Sequence, residues 1–273
     1  MNPLDKAMEI IAKSGHDLNF KVKDFLQSKG WEIEMSPHYV DVVTGKTREF
    51  DIIAKKEFKV YAFSHNPVGS ILIKLFIECK YIKDTTVAWF TPKDFGKVKK
   101  IAMDNHLLRH KEDILLGTPN QSTDKLHHYL ASNEAVTLVD KAGQYDPIGE
   151  AKYGTLHALI YFSENFNNGS HVINFPLIVI DSYRNLFRRE GDDDPNPTPI
   201  TDSFQLEVDY SYPQQNNQTT RKDFLVDVTS YGDLGKYVDY LEANDVKIFT
   251  GQLHWDLIQQ NKRDRSDYRN SSR

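Results

Sequence analysis

Cysteine is nearly absent from the 273-residue chain, which has only Cys79. One cysteine cannot form a disulfide within the chain, and it excludes a zinc site built from several cysteines. Long apolar runs are also missing, because no stretch reaches the roughly 18 to 20 residues that a membrane-spanning helix needs. The first residues, MNPLDKAMEIIAK, lack the apolar core of a signal peptide. We therefore expect a soluble, cytoplasmic protein with no membrane partner.

The chain has no excess of positive charge. It contains 34 Lys and Arg residues against 39 Asp and Glu residues, and its formal net charge is -5. This charge argues against a general nucleic-acid coat protein, which needs clustered cations to neutralise phosphates. A nuclease is still allowed, because a local basic cleft can lie on a mildly acidic protein whose metal ligands lower the total charge. A glycine-rich phosphate-binding loop and internal repeats are also missing from the sequence.

Hydrophobic residues make up 39 % of the chain and aromatic residues 12 %, enough for a sizeable core. The length fits one large α/β domain with elaborations, or one domain with a smaller lobe. We assign residues 1–110 to a core and residues 111–255 to an extension of the same domain or a small accessory lobe. The polar tail, residues 256–273, has almost no apolar content and is expected to be disordered.

Hydrophobic periodicity predicts the elements of the first half of the chain. Two helices fill the first 30 residues and end at Gly30, and a hairpin follows over residues 31–54 with its turn at Thr44–Lys46. Strands are predicted over Ile71–Tyr81 and Thr86–Phe90, and a helix over residues 92–106 that begins near Pro92.

Residues 107–145 are polar and allow no assignment. Beyond them the pattern predicts a helix over residues 147–165, a buried strand over 172–181 and a loop over 191–202. A β-hairpin is predicted over 204–212 and 224–230, and a final helix over 233–244.

The strand over Ile71–Tyr81 alternates strictly between two faces. Its odd-numbered residues, including Ile77 and Cys79, are apolar and must be buried, whereas Glu78 and Lys80 lie on the opposite face. A glutamate and a lysine on an otherwise apolar strand are costly unless they pair or bind something. Asp51 lies on the preceding predicted strand. The three polar residues therefore define a candidate site.

Hydrolysis of a phosphodiester needs this combination of groups. A divalent cation offsets the charge of the phosphate and lowers the pKa of a bound water. Mg²⁺ is typically held by one or two carboxylates and keeps several waters. A nearby ammonium can orient the attacking water. Two carboxylates on adjacent strands with a lysine beside one of them, as in Asp51, Glu78 and Lys80, supply all of these groups.

The order of these features resembles the PD-(D/E)xK, or restriction-endonuclease-like, nuclease superfamily. The resemblance covers roughly residues 15–105: an early helix, a hairpin with REFDIIA from Arg48, and a strand with IECK from Ile77. It implies an α/β fold with a mixed central sheet flanked by helices, to which the C-terminal β-hairpin and helix are additions. It also implies that Asp51 and Glu78 bind Mg²⁺ (or Mn²⁺) and that Lys80 serves the attacking water.

The first helix departs from the family pattern. Many members carry a glutamate at the position that, counted back from Gly30-Trp31, holds Asn19 in this chain. An asparagine can bind a metal or orient a water but brings no charge, and Asp17 could substitute if the helix shifts. The long interval from Asp51 to Glu78 is a second departure, with room for an inserted turn.

Further candidates have structural explanations of similar weight. Glu49 could be an extra ligand or could hold Lys80, but a salt bridge with Arg48 or Lys46 is as good a reading. Contacts with the nucleic-acid backbone are predicted for three lysines, although a solvated helix face or pairing with Glu49 also explains them: Lys74, Lys93 and Lys97.

The later hairpin contributes aromatic side chains. Tyr210 and Tyr212 could stack on nucleic-acid bases, whereas Phe204 is better explained by core packing. Cys79 faces away from Glu78 and is expected to be a packed core residue.

The sequence therefore predicts Mg²⁺-dependent endonuclease activity, with DNA as the favoured substrate. The resemblance suggests a role in restriction, defence or repair and a homodimer that addresses two strands. Two alternatives remain open: a non-catalytic nucleic-acid-binding or regulatory protein on the same fold, and an RNA-processing nuclease.

Overall fold

The computed structural model describes most of the chain with gaps. It covers residues 2–13, 16–61, 67–92, 94, 96–97, 101, 133–140, 147–165, 171–190, 196–213, 218–251 and 253–254. The helices are α1 (Pro3–Lys13), α2 (His16–Ser28), α3 (Pro147–Asn165) and α4 (Leu234–Tyr240), the last continuing into a π-helical turn (Leu241–Asp245). The strands are β1 (Glu32–Met35), β2 (His38–Val40), β3 (Thr47–Glu49), β4 (Ile52–Tyr61), β5 (Pro67–Lys80), β6 (Thr86–Pro92), β7 (Asn133–Asp140), β8 (His171–Ile180), β9 (Leu186–Glu190), β10 (Thr198–Pro199), β11 (Phe204–Pro213) and β12 (Thr219–Ser230).

Ten of the described strands form one mixed sheet, in the order β1-β4-β5-β8-β12-β11-β7-β6-β9-β10, and β2 pairs with β3 separately. Strand β5 is antiparallel to β4 and parallel to β8. The fold is therefore α/β with a mixed central sheet flanked by helices, as the sequence predicted. The late hairpin β11–β12 is confirmed, but it lies inside the sheet next to β8 rather than as an addition at its edge.

Alternate residues of β5 face two separate hydrophobic cores. Ile73 and Ile77 are fully buried in a core that α2 and α4 complete with side chains such as Val22 and Val238. Phe76 points the other way, into the core to which α3 contributes. Each such buried side chain contributes roughly 1.5 to 3 kcal/mol relative to exposure. The predicted alternation of β5 is confirmed, and it places Glu78 on the α3 side of the sheet.

Helix α2 ends where the sequence predicted. Gly30 has φ +80°, a left-handed conformation that favours glycine. The N–H of Gly30 donates to the carbonyl of Gln27 (2.9 Å) and that of Trp31 to Leu26 (3.0 Å), which closes the helix. This fixed end sets which residues of α2 face the sheet, and Asn19 is one of them, only 8 % exposed.

The remaining predictions have mixed outcomes. The first helices, the hairpin, β5, β6, the 147–165 helix, β8 and the final helix are confirmed, the hairpin strand being split into β3 and β4. The start predicted for the next helix, near Pro92, is wrong, because Pro92 closes β6; the first described helical residues after it are Gly96 and Lys97. Residues 98–100 and 102–106 of that predicted helix lie outside the described residues. Strands β7, β9 and the short β10 were not predicted. The tail 256–273, residues 107–132 and residues 191–195 lie outside the described residues.

Among the described residues, no helix has both the length and the apolar character to cross a membrane.

Candidate metal centre at the end of strand β5

Asp51 and Glu78 are brought together by the register of β4 and β5. Ile52 pairs with Ile77 in this antiparallel ladder, so the next residue of each strand, Asp51 and Glu78, lies beside the other. Asp51 stands where the hairpin changes from the β1–β4 ladder to the β2–β3 ladder, and its carbonyl accepts the N–H of Ser36 (2.9 Å). The break between the two ladders leaves the Asp51 side chain free to turn toward β5.

Two donors hold the Asp51 carboxylate in place. The Asn19 side-chain amide donates to Oδ1 at 3.0 Å, and the backbone N–H of Cys79 donates to Oδ2 at 2.8 Å. One donor comes from helix α2 and the other from β5, so both oxygens are fixed by different elements. A group held in this way is pre-organised, as a metal ligand requires.

The Glu78 carboxyl faces Asp51 and is largely shielded from solvent. Burial raises its pKa well above the ordinary glutamate value, the charge of Asp51 and a hydrogen bond between the two carboxyl groups raise it further, and the charge of Lys80 opposes these effects. Helix α3 closes the site from the other side: a Cβ built on Gly154 would lie 2.8 Å from Glu78 Oε1. Glycine at this position is therefore what lets the helix approach the carboxyl.

The two carboxyl groups fit the ligand preferences of Mg²⁺ or Mn²⁺. Each group acts directly on the other, since Asp51 raises the pKa of Glu78, and the pair could hold a hard cation in place of a proton. Within the described residues, no group of three or more His, Cys, Asp or Glu side chains is placed to hold a metal. A cation here would thus be held by a carboxylate pair and would keep several waters, as Mg²⁺ commonly does.

Lys80 lies close to this pair, and Glu49 does not join it. Lys80 is partly buried on the same face of β5 as Glu78 and acts on its pKa. Glu49 is exposed on β3 opposite His38, because the strand that was expected to carry both Glu49 and Asp51 is broken between them. The salt bridge considered between Glu49 and Arg48 is also not formed; Arg48 binds Asp41 instead.

On helix α2, Asn19 reaches the site and Asp17 does not substitute for it. Asp17 pairs with Lys21 one helical turn away, at 2.6 Å. Asn19 uses its amide N–H to hold Asp51, so its part in this arrangement is to orient a ligand rather than to supply one.

Of the three lysines considered for nucleic-acid contacts, the two that the structure describes, Lys74 and Lys97, have different surroundings. Lys74 is partly buried on β5, and burial and the neighbouring Lys55 lower its pKa. Lys97 forms ion pairs with Glu207 and Asp223 of the β11–β12 hairpin. Lys93 lies outside the described residues. Phosphate contacts at Lys97 would have to displace these ion pairs.

The aromatic residues of β11 separate by burial. Phe204 is 3 % exposed and packs against Phe90 at 5.5 Å between ring centroids, which confirms its place in the core. Tyr212 is also buried, whereas Tyr210 is only partly buried.

Asp41 was missed by the sequence analysis, although it is a fully buried carboxylate. Its Oδ1 accepts the N–H groups of Val43 (2.9 Å) and Thr44 (3.2 Å), and its Oδ2 accepts Nε of Arg48 (2.6 Å). Burial alone would raise the pKa of Asp41, but the hydrogen bonds from Val43 and Thr44 and the charge of His157 outweigh it and lower the pKa to about 2. Asp41 is therefore ionised at neutral pH.

His157 of α3 links Asp41 to Tyr210 of β11. Its Nδ1 lies 3.4 Å from Asp41 Oδ1, and its Nε2 forms a short hydrogen bond with the Tyr210 hydroxyl. Burial lowers the pKa of His157, although the charge of Asp41 raises it. Burial raises the pKa of Tyr210 to about 12. Of these three residues, only Asp41 had a signal in the sequence. It precedes the Thr44–Lys46 turn, a position from which an aspartate often accepts hydrogen bonds from the turn backbone.

Tyr39 lies between the two groups of polar residues. Burial raises its pKa to about 12, and the charges of Glu78 and Asp41 act in the same direction. The Asp51–Glu78 pair and the Asp41–His157–Tyr210 group are thus electrostatic neighbours.

Comparisons of the chain with protein-family models, with curated proteins and with solved structures find no match.

Proposed function

We propose that the protein is a Mg²⁺- or Mn²⁺-dependent endonuclease that hydrolyses phosphodiester bonds, with DNA as its favoured substrate. One observation carries the proposal: the carboxyl groups of Asp51 and Glu78 converge at the end of β5, beside Lys80. Separated carboxylates on opposite faces of the sheet would have argued against a shared cation.

Each residue of the site has a distinct role in this proposal. Asp51 and Glu78 would hold the cation, which when bound offsets the phosphate charge and lowers the pKa of a water. Lys80 orients the attacking water with its ammonium group. Asn19 fixes Asp51 through the 3.0 Å hydrogen bond and so positions the ligand rather than touching the reacting atoms.

The order of elements supports the restriction-endonuclease-like interpretation. Helix α2, the β1–β4 hairpin and β5 follow one another in the chain, and all three contribute groups to the same site. A homodimer acting on two strands, and a role in restriction, defence or repair, belong to the same proposal by analogy with that superfamily.

A non-catalytic protein on the same fold is the second candidate. Gly154 of α3 covers Glu78 closely, and Asn19 leaves the site one carboxylate short of the common pattern. Both features favour a protein that binds nucleic acid without cleaving it.

Cleavage assays with matched lysine variants test the proposal. The full chain is incubated with duplex DNA, single-stranded DNA or RNA in Mg²⁺ or Mn²⁺, as wild type, Lys80→Ala, Asp51→Ala and Lys83→Ala. Lys83 is an exposed lysine close to Lys80 in the chain and serves as the control. We expect Lys80→Ala to lose at least about a hundred-fold in rate, and Lys83→Ala to keep it.

The outcomes separate the candidates. Equal activity of wild type, Lys80→Ala and Asp51→Ala would overturn the assigned centre. Absence of cleavage, together with no Mg²⁺ or Mn²⁺ binding by calorimetry, would favour the non-catalytic candidate. Cleavage of RNA alone would assign the site to RNA processing.

A further inference from the structure

We infer that Asp41, His157 and Tyr210 form a second reactive site, in which Tyr210 is a nucleophile toward phosphate esters and His157 is its general base. The site is built from three distant segments: the turn after β2, helix α3 and strand β11. It uses none of the residues of the proposed metal centre and does not depend on the nuclease proposal.

Asp41 is the fixed end of this arrangement. It is 0 % exposed on its side chain, and its oxygens are held by two backbone N–H groups and by Arg48. A carboxylate with this many donors keeps its charge and its position. It can therefore orient a histidine and stabilise the positive charge that the histidine acquires when it takes a proton.

The position of Asp41 determines the tautomer of His157. Because the ionised carboxylate can only accept a hydrogen bond, Nδ1 of His157 must carry the proton that faces it. Nε2 then has a free lone pair, and the Tyr210 hydroxyl is its hydrogen-bond donor. The imidazole is thus set up to remove a proton from Tyr210, as in a Ser-His-Asp triad with tyrosine in the place of serine.

Tyr210 combines this contact with access to solvent. Its side chain is partly buried, and its ring stacks on that of Tyr212 (6.2 Å between centroids). The ring of Tyr153, which is 45 % exposed, lies tilted against it at 5.9 Å. Because Tyr210 is only partly buried, a substrate could approach the hydroxyl beside His157.

The surroundings of Tyr210 favour an anionic substrate with a flat group. Arg48 holds Asp41 with one nitrogen and is 49 % exposed on its side chain. The Lys152 ammonium lies 4.8 Å from the centre of the Tyr153 ring. Two cations and an exposed aromatic ring match a phosphate ester of a nucleoside or of another aromatic alcohol.

The proposed step is balanced without a further reagent. The Tyr210 oxygen attacks phosphorus, its proton passes to Nε2 of His157, and the new bond is Tyr210 O–P. The bond from phosphorus to the leaving oxygen breaks, and that oxygen takes the proton from His157. The products are a phosphotyrosyl ester on the protein and a free alcohol, with no change in oxidation state.

The pH dependence follows from the groups that face His157. These are Asp41 and Arg48 from the β2–β3 ribbon, Tyr210 from β11, and Tyr153 from its own helix. Because His157 must be neutral to act as a base, reaction at Tyr210 should rise with pH through a value below that of an ordinary histidine and then level off.

Two probes test the site on the full chain in EDTA, which excludes the metal centre. para-(Fluorosulfonyl)benzoate, an anionic electrophile, is used to label tyrosines, and peptide mapping compares Tyr210 with Tyr153. Bis(p-nitrophenyl) phosphate tests the substrate class through release of p-nitrophenolate and a covalent adduct on Tyr210. The variants are His157→Gln, which keeps a hydrogen-bond acceptor but not a base, Tyr210→Phe, and Tyr61→Phe as the control, at an exposed tyrosine of β4 that lies outside this site.

We expect faster labelling at Tyr210 than at Tyr153, a loss of about a hundred-fold at Tyr210 in His157→Gln, and little change at Tyr210 in Tyr61→Phe. The circular dichroism of each variant verifies its fold. Labelling of Tyr210 that is slower than that of Tyr153, or unaffected by His157→Gln, would overturn the reactive site. Labelling without release of p-nitrophenolate would overturn the phosphate-ester assignment.

Discussion

Helix α3 contacts two carboxyl groups whose protonation is driven in opposite directions. Asp41, reached through His157, has a pKa lowered to about 2, whereas Glu78, reached through Gly154, has a pKa raised well above its ordinary value. Burial raises the pKa of both groups, so burial cannot explain the difference. What differs is the partner set: Asp41 faces N–H groups and a guanidinium, and Glu78 faces another carboxyl group.

The comparison distinguishes a structural carboxylate, Asp41, from a candidate metal ligand, Glu78. A carboxylate that already has its donors is stable as a charge and gains little from a cation. A carboxyl group whose nearest polar neighbour is a second carboxyl group is satisfied only by a proton or a cation. Helix α3 therefore borders two different sites. The Asp41 carboxylate is ionised with the donors it already has, whereas the Glu78 carboxyl would need a bound cation to be ionised.

The largest effect in this comparison is expected for Asp41→Asn. The amide would leave the Arg48 guanidinium and the backbone donors without the charge they face, and the loss should be about 2 to 3 kcal/mol in the free energy of unfolding. Urea denaturation measures it. The matched control is Asp209→Asn, which changes an exposed carboxylate paired with Arg221 and should have little effect. Equal losses in both variants would contradict the role of Asp41 as a buried anchor.

The pH dependence of stability gives a second test of the same anchor. Because the folded pKa of Asp41, about 2, lies below the ordinary value of 3.8, its contribution is present above that ordinary value and is lost as pH falls toward 2. Urea titrations between those limits should therefore show a shallower acid-side loss in Asp41→Asn than in wild type. An unchanged slope would sink the assignment of the low pKa to Asp41.

An intermediate effect is expected for Gly154→Ala. Alanine in the interior of a helix is normally favoured over glycine, but the new Cβ would lie 2.8 Å from Glu78 Oε1. We expect a loss of about 1 to 3 kcal/mol in the free energy of unfolding and weaker Mg²⁺ binding. In Gly235→Ala, where the nearest atom is Phe25 Cζ at 3.6 Å, no loss is expected.

A double-mutant cycle tests the cause of the Gly154 effect. Glu78→Ala removes the carboxyl that the new methyl group would meet, so Gly154→Ala should cost little in that background. A cost that persists would place the clash elsewhere in α3.

The smallest effect on stability is expected for Glu78→Gln without metal. The amide keeps the shape of the carboxyl and can donate a hydrogen bond to Asp51 as the protonated carboxyl does, so the free energy of unfolding should change by less than about 0.5 kcal/mol. Thermal unfolding with and without Mg²⁺ should show stabilisation by the ion in wild type but not in the variant. Glu57→Gln, at an exposed position of β4, is the control and should keep the response to Mg²⁺. A response that survives Glu78→Gln would remove Glu78 from the metal centre.

The elements that could be predicted from the sequence are those with a local signal. The strict alternation of apolar and polar residues in β5 predicts a strand with two different faces. The sequence of α3 begins at a proline and predicts a helix, and both elements were predicted with close bounds. The Asp51–Glu78 contact followed because the two strands are neighbours in the chain and form one hairpin-like pair. Local pattern and chain proximity were sufficient for that part of the site.

The rest depends on pairings between distant segments. Strands β7 and β9 lack a strong alternating pattern, and β9 is in register with β6 across about 100 residues of chain. Asp41, His157 and Tyr210 come from a turn, a helix and a strand that only the folded sheet brings together. Glu49 was misplaced for a smaller reason: the chain breaks between β3 and β4, so Glu49 belongs to the separate β2–β3 ladder and alternation along one continuous strand does not apply to it.

The position of β8 has a consequence for how the chain reaches its folded state. Ile71 of β5 pairs with His171, so the parallel ladder beside the candidate centre joins residues 100 positions apart. Pairings of such high contact order form late, because the entropy of closing a long loop opposes them until other contacts are made. During synthesis, β5 leaves the ribosome with an apolar edge that has no neighbour until β8 follows, and such an edge is open to aggregation. The strand that carries Glu78 and Lys80 is therefore made early and is completed only when the second half of the chain has been synthesised.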